Sequence, residues 1–256
     1  MGTDITTSEL VPNMERFLSD KNPFKEAKLG GLKNLHIFLR EVGADLRTEF
    51  LEHILRANEA KQFEWREKVI LASNIGHFSM LYDMDTVYNR FLPIFFLYCF
   101  DPVAKVSETA SFSLALILES LKSDIDRQEA LMLIVRKYFF RSETYKRRRL
   151  FVLMCGEALN HKELFLTYFK KDMLTLAEDR VISVRMALGR VLKHHYVTLL
   201  GNSLINNDRE VNSSIKKLQA DRSSDIRQLV ANIPLFDPEV MMSISELSTT
   251  DGQSLE

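Results

Sequence analysis

The chain repeats itself about every forty residues. "DPVAKVSETA" from Asp101, "DRVISVRMAL" from Asp179 and "DRSSDIRQLV" from Asp221 align without gaps. Each opens on an aspartate, places a β-branched residue five positions on (Val106, Val184, Ile226), and a further packing residue three positions later (Thr109, Ala187, Leu229). Weaker copies open at Asn22, Gln62 and Ser142, so the openings at 22, 62, 101, 142, 179 and 221 are separated by 40, 39, 41, 37 and 42 residues. Such a period marks a solenoid: one unit cannot cover its own apolar face and must stack on its neighbours.

The repeating unit is helical. Glycine and proline number only 9 and 6 in 256 residues, and no alternating strand pattern persists. A period near forty without strands has the size of one HEAT-type helical hairpin. The expected fold is therefore all-α, an α-α superhelix of about six hairpins over 9–233. Partner helices are expected at roughly 44–58, 85–100, 126–140, 161–178 and 208–219. The last stretch, 234–256, turns to Ser, Thr and acidic residues and is expected to leave the solenoid as a polar, mobile tail.

Each opening has a readable purpose. Aspartate, serine or asparagine at a helix start accepts hydrogen bonds from unpaired backbone N–H groups, worth about 0.5–2 kcal/mol, and suits the positive end of the helix dipole. Pro23 and Pro102 follow their openings, where a missing N–H costs nothing. Five of the six copies carry a basic residue at the sixth place, Lys28, Lys68, Arg148, Arg185 and Arg227, and only Ser107 departs. These cations can pair with aspartates of adjacent repeats as a structural ladder.

Stacked hairpins bring the turns between paired helices together as a ridge. Residues two to four places after each opening fall there: Trp65 and Arg66, Val103 and Lys105, Tyr145 and Lys146, Val181 and Ile182, Ser223 and Ser224. Trp65 is the one tryptophan of the chain, set among charges at the front edge of a helix. In isolation it reads equally as a half-buried indole or as an exposed contact; Trp and Arg are the residue types most enriched among binding hot spots.

Other chemistries find little support. Lys+Arg 34 against Asp+Glu 35 gives a formal charge of -1, which exerts no global pull on nucleic acid or an anionic membrane. The greasy "FLPIFFLYCF" (91–100) is half the length a bilayer needs and reads as a buried helix. Cys99 and Cys155 lack metal-ligand spacing and read as reduced thiols, which with the missing secretory signal points to cytoplasm or nucleus. His194 and His195, adjacent on a helix, point about 100° apart and cannot readily share a metal; His36, His53, His77 and His161 look scattered. No phosphate-cradling glycine loop, nucleophile elbow or His-Glu-x-x-His motif is present, so neither an enzyme nor a cofactor is expected. "YKRRR" (145–149) reads as a solvated helix start, part of which can steer an acidic partner.

"EWREKVILASNIG", "DPVAKVSETASFSL", "TYKRRRLFVLMCGEAL", "MLTLAEDRVISVRMALGRVLK" and "LQADRSSDIRQLVANI" occur in that order. Over roughly 60–233 they resemble the last repeats of the HEAT-repeat scaffold and regulatory subunits of protein phosphatases 2A and 4. In that family these repeats hold the catalytic phosphatase subunit through their intra-repeat turns. Trp65 and Arg66 match a Trp-Arg pair in the first of them, Tyr145 a turn tyrosine and Val181 a turn valine. Glu67, Lys68, Ile182 and the triple Arg147, Arg148, Arg149 depart from the family's pattern.

The resemblance implies a non-catalytic subunit that binds a serine/threonine phosphatase catalytic subunit, of the phosphatase-4 type or the 2A type, and directs it to substrate proteins. The candidate partner-binding set is Trp65, Arg66, Val103, Lys105, Tyr145, Lys146, Arg148, Val181, Ile182 and Arg185. The alternative is a tubulin-binding HEAT array of the TOG type, which also uses tryptophan and basic turn residues. In that type the tryptophan belongs to the first turn; here it lies in the second.

Overall fold

Glu64 starts the helix that carries the tryptophan. The Glu64 backbone N–H donates to the Glu67 carboxylate at 2.8 Å and the Glu64 side chain caps the Glu67 N–H, a reciprocal box that leaves Trp65 as the first helical residue. The computed structural model describes residues 11–18, 25–201, 209–233 and 235, and repeats this helix–turn–helix plan along them.

Among the described residues, six hairpins follow one another. The first pairs α1 (Val11–Leu18) with α2 (Lys25–Glu41), and the second α3 (Ala44–Glu59) with α4 (Trp65–Ser79). In the third, α5 (Met84–Thr86) runs through a π turn (Val87–Phe91) into α6 (Leu92–Cys99), and returns as α7 (Ala104–Ser111) and α8 (Leu114–Ser120). The fourth joins α9 (Ile125–Val135), with a π turn at Arg136–Phe140, to α10 (Tyr145–Ala158). In the fifth, α11 (Lys162–Leu164), a π turn (Phe165–Phe169), α12 (Lys170–Thr175) and a 3-10 turn (Leu176–Glu178) precede α13 (Ile182–Gly201). The sixth is α14 (Arg209–Gln219) and α15 (Ser224–Val230). No strand occurs among the described residues, and the fold is all-α with the expected period and partner helices. The opening at Asn22 and all of 234–256 except Leu235 lie outside the described residues.

The chain divides into two compact units, 1–133 and 134–256. In the first, the second helices of successive hairpins stack: α2 on α4, and α4 on α7 and α8, with α6 against α7. Leu35, Leu71, Ile75, Phe91, Phe95 and Leu114 fill the space between them. In the second, α10 packs on α13 and α13 on α15, around Phe151, Phe169, Val184, Leu188 and Ile226. Each such buried side chain contributes roughly 1.5–3 kcal/mol. Of the aromatics Phe95, Phe96 and Tyr98, which the sequence places in a stacking core, Phe95 and Tyr98 are buried and Phe96 is half-buried.

Close helix approach explains one glycine. A Cβ on Gly76 would lie 2.9 Å from Leu116 Cδ1 and 3.2 Å from the Ser113 backbone. The same crossing is tied by the Ser113 hydroxyl donating to the buried Ala72 carbonyl at 2.8 Å. The first π turn ends at Leu92–Pro93, where proline supplies no N–H to continue the helical ladder.

One detail of the openings is corrected. The aspartates stand two residues ahead of the residue that precedes the helix, rather than at the cap itself. Asp101 Oδ1 accepts the Val103 N–H at 2.8 Å, Asp179 Oδ1 that of Val181 at 2.8 Å, and Asp221 Oδ1 that of Ser223 at 2.9 Å. Each carboxylate therefore shapes the turn and keeps lone pairs for a neighbour.

Candidate functional site

The sixth-place cations find carboxylates of the next repeat. In the first unit, Lys28 pairs with Glu67 at 3.1 Å, and the Lys68 ammonium with Asp101 at 2.9 Å. In the second, Arg148 Nε and Nη2 donate to the two oxygens of Asp179 at 2.6 and 2.9 Å. Arg185 does the same to Asp221 at 2.6 and 3.0 Å. Each arginine also braces its own turn through Nη1: Arg148 to the Ser142 and Glu143 carbonyls at 2.7 and 3.0 Å, Arg185 to the Asp179 carbonyl at 2.7 Å. Within each unit, this clamps one turn beside the next.

Electrostatics follow the geometry. The Arg185 hydrogen bond, outweighing burial, holds the Asp221 carboxyl below the ordinary carboxylate range, helped by the Ser223 N–H. At Asp179 burial pushes upward, but the Arg148 hydrogen bond, the Val181 N–H and nearby cations together win and lower it. Hydrogen bonding to these carboxylates, against burial, raises both guanidinium groups.

The candidate residues therefore sort into two kinds. Arg148, 7% exposed, and the half-buried Arg185 have their guanidinium groups committed to the ladder. Trp65 (46% exposed), Tyr145 and Ile182 present apolar surface to solvent, with Arg66, Lys105 and Lys146 exposed beside them. Val103 and Val181 are half-buried. The Arg66 guanidinium lies over the Trp65 ring, 4.7 Å from its centroid. Such a stack contributes about 0.5–1 kcal/mol at an exposed site. The ion pairs Lys68–Asp101 in the first unit and Arg148–Asp179 in the second tie the turn that carries Trp65 and Arg66 to that of Val103 and Lys105, and the turn of Tyr145 and Lys146 to that of Val181 and Ile182.

Two apolar residues of the same region are missed by sequence reasoning. Leu97 and Phe100, inside the stretch read as a buried helix, are 54% and 42% exposed. With Asn58, Lys61, Phe63 and Pro102 they line a groove of about 420 Å³ between the second and third turns. A signal existed. Leu97 stands four places before its opening, where four of the other five repeats place Asn58, Tyr138, Thr175 and Lys217, all at least partly solvent-facing, and the first places Leu18.

Elsewhere, His36 and His77 are not scattered but stacked, with ring centroids 4.9 Å apart. His194 and His195 meet edge to face at 4.8 Å. Among the described residues no group of three or more His, Cys, Asp or Glu is placed to hold a metal ion, and no helix is long and apolar enough to cross a membrane.

The sequence has relatives. No family model matches the chain. It is 29% identical over 255 residues to serine/threonine-protein phosphatase 4 regulatory subunit 1 of Homo sapiens and of Mus musculus, and 28% identical over 248 residues to that of Rattus norvegicus. The similarity takes in 91% of this chain, which spans a quarter, 25%, of those relatives' length. The resemblance drawn from the turn sequences thus extends over nearly the whole chain.

Proposed function

We propose that the chain is a non-catalytic regulatory segment that binds a serine/threonine phosphatase catalytic subunit, of the phosphatase-4 or 2A type, through its intra-repeat turns. The observation that carries this is the exposed Trp65 at the head of α4, stacked by Arg66 on a turn clamped to its neighbour. Likeness to regulatory subunits of protein phosphatase 4 supplies the class of partner.

Trp65, Arg66, Val103 and Lys105 form the contact of the first unit, and Tyr145, Lys146, Val181 and Ile182 that of the second. Arg148 and Arg185 act behind them, holding the turns that present these side chains. Turns fixed before binding lose less entropy on association. Positioning the catalytic subunit toward substrate proteins, in cytoplasm or nucleus, follows from this role.

Gel filtration and calorimetry with purified phosphatase-4 and 2A catalytic subunits test the proposal. The wild-type chain forms a complex; Trp65→Ala/Arg66→Ala weakens it by about 2 kcal/mol or more and leaves the thermal melt nearly unchanged. Capture of tubulin without either phosphatase would move the chain to the TOG-type reading.

A further inference from the structure

Leu97 and Phe100 stand at places that the other repeats fill differently. One place before their openings these carry Lys21, Lys61, Arg141, Glu178 and Ala220, charged or small, and the third repeat alone carries an aromatic, Phe100. Four places before, the third has Leu97 where the fifth and sixth have Thr175 and Lys217. Leu97 and Phe100 are 54% and 42% exposed, and a spacing of three puts them on one face at the end of α6. The Phe96 ring stacks behind Phe100, with centroids 6.5 Å apart. Packing between the hairpins leaves this apolar surface unused.

We infer that the groove they wall receives a large uncharged side chain from an extended segment of the protein docked on the adjoining turns, and that the Asn58 amide donates to a backbone carbonyl of that segment. The groove, about 420 Å³, is closed by Phe63 and Lys68 from the turn of Trp65, and by Asp101 and Pro102 from the turn of Val103. A protein lying across both turns therefore spans it. The charges along it balance: Lys68 pairs with Asp101 at 2.9 Å, and Glu59 and Lys61 carry opposite signs. An apolar occupant matches such a lining, whereas a lone charge would lose its hydration without gaining a counter-charge.

Asn58 supplies the polar contact. Its Oδ1 accepts from the hydroxyl of Tyr98 at 3.0 Å, and Tyr98 is itself 1% exposed. This fixes which end of the amide is oxygen and leaves Nδ2, which makes no hydrogen bond among the described residues, as a donor in the groove wall. Stacking of repeats has no claim on the site. The second and third hairpins both wall it, and a further hairpin could stack only on the first or the sixth.

This inference rests on the docking proposed above. Affinity for the phosphatase-4 catalytic subunit is measured for the full chain as wild type, Leu97→Thr/Phe100→Ala, Asn58→Asp and Trp65→Ala/Arg66→Ala, with a thermal melt of each. Leu97→Thr/Phe100→Ala installs the residues that the fifth and sixth repeats carry at these exposed places, so its melt stays nearly unchanged. Its binding should weaken about tenfold or more. Asn58→Asp keeps an acceptor for Tyr98 and removes the donor, and should weaken binding about three- to tenfold. Full binding by both groove variants beside a strong Trp65/Arg66 effect overturns the groove and spares the docking. An unchanged Asn58→Asp beside a weakened Leu97→Thr/Phe100→Ala overturns the carbonyl contact alone. Absence of any wild-type complex overturns the docking and this occupant with it. Self-association of the wild-type chain in sedimentation, abolished by Leu97→Thr/Phe100→Ala, would give the groove to a second copy and overturn the inference.

Discussion

Arg148 precedes Asp179 by 31 positions, yet its guanidinium holds both carboxylate oxygens, at 2.6 and 2.9 Å. The two side chains are 9% and 4% exposed, so this pair spans successive repeats out of water's reach. Desolvating two charges is costly, and the pair is tolerated because each partner also bonds backbone: Arg148 to two carbonyls, Asp179 to the Val181 N–H.

Removing one side of this pair should cost far more than removing both. Arg148→Met leaves a buried carboxylate uncompensated and should lower stability by about 3–5 kcal/mol, with Asp179→Leu in the same background recovering part of the loss. Lys68→Met, at a rung whose lysine is 31% exposed, should cost about 1 kcal/mol or less. Urea denaturation of the three variants measures the order; equal losses at both rungs would contradict it.

Acid should loosen the second unit first at these rungs. Folding lowers the carboxyl values of Asp179 and Asp221, so the folded state binds protons less readily than the unfolded chain. Their contribution is complete above the unfolded value of about 3.9 and disappears as pH falls through the lower folded values. Stability measured by denaturant between neutral and acid pH should decline across this window, and Asp221→Asn should flatten the decline.

Two helical glycines should respond oppositely to alanine. Gly76→Ala drives a methyl to 2.9 Å from Leu116 and toward the Ser113 backbone, and should cost about 1–3 kcal/mol. Gly30, within α2, has nothing within 4 Å of the place an alanine methyl would take, so Gly30→Ala should stabilise by about 0.5–1 kcal/mol. Thermal melts of the pair decide.

The lone tryptophan offers a direct optical check. At 46% exposure of the residue, Trp65 should emit as a solvated indole and be quenched readily. The adjacent Arg66 guanidinium should make iodide a better quencher than caesium. Arg66→Gln should remove that preference without shifting the emission toward the blue.

Both thiols should be silent in the native chain. Burial pushes Cys99 and Cys155 well above the ordinary cysteine value, so little thiolate is present to react. A disulfide reagent should label neither at neutral pH and both in denaturant; rapid native labelling would show that the helices holding them open easily.

Much of this architecture is legible in local sequence because its determinants are local. An opening residue, a β-branched residue five places on and a scarcity of glycine suffice to mark the helices, and the hairpins appear at the predicted places. The candidate site is less legible. Leu97 sits in a run as apolar as any in the chain, and only its register, four places before Asp101, gives away that it faces outward. His36 and His77 lie too far apart in sequence for any window to pair them, and become neighbours only because α2 packs on α4.

Period, helix content and the recurring cation are properties of the sequence alone, since each arises from residues within one or two helical turns. Which of several chemically identical side chains meets water was settled by the tertiary structure. Arg66, at the fourth place of its repeat, and Arg148, at the sixth place of another, are the same residue. The first lies exposed on the indole of its own turn, and the second is buried against a carboxylate. Arg148 is buried because the next repeat sets Asp179 opposite it, and a charge is stable inside a protein only where such a partner exists.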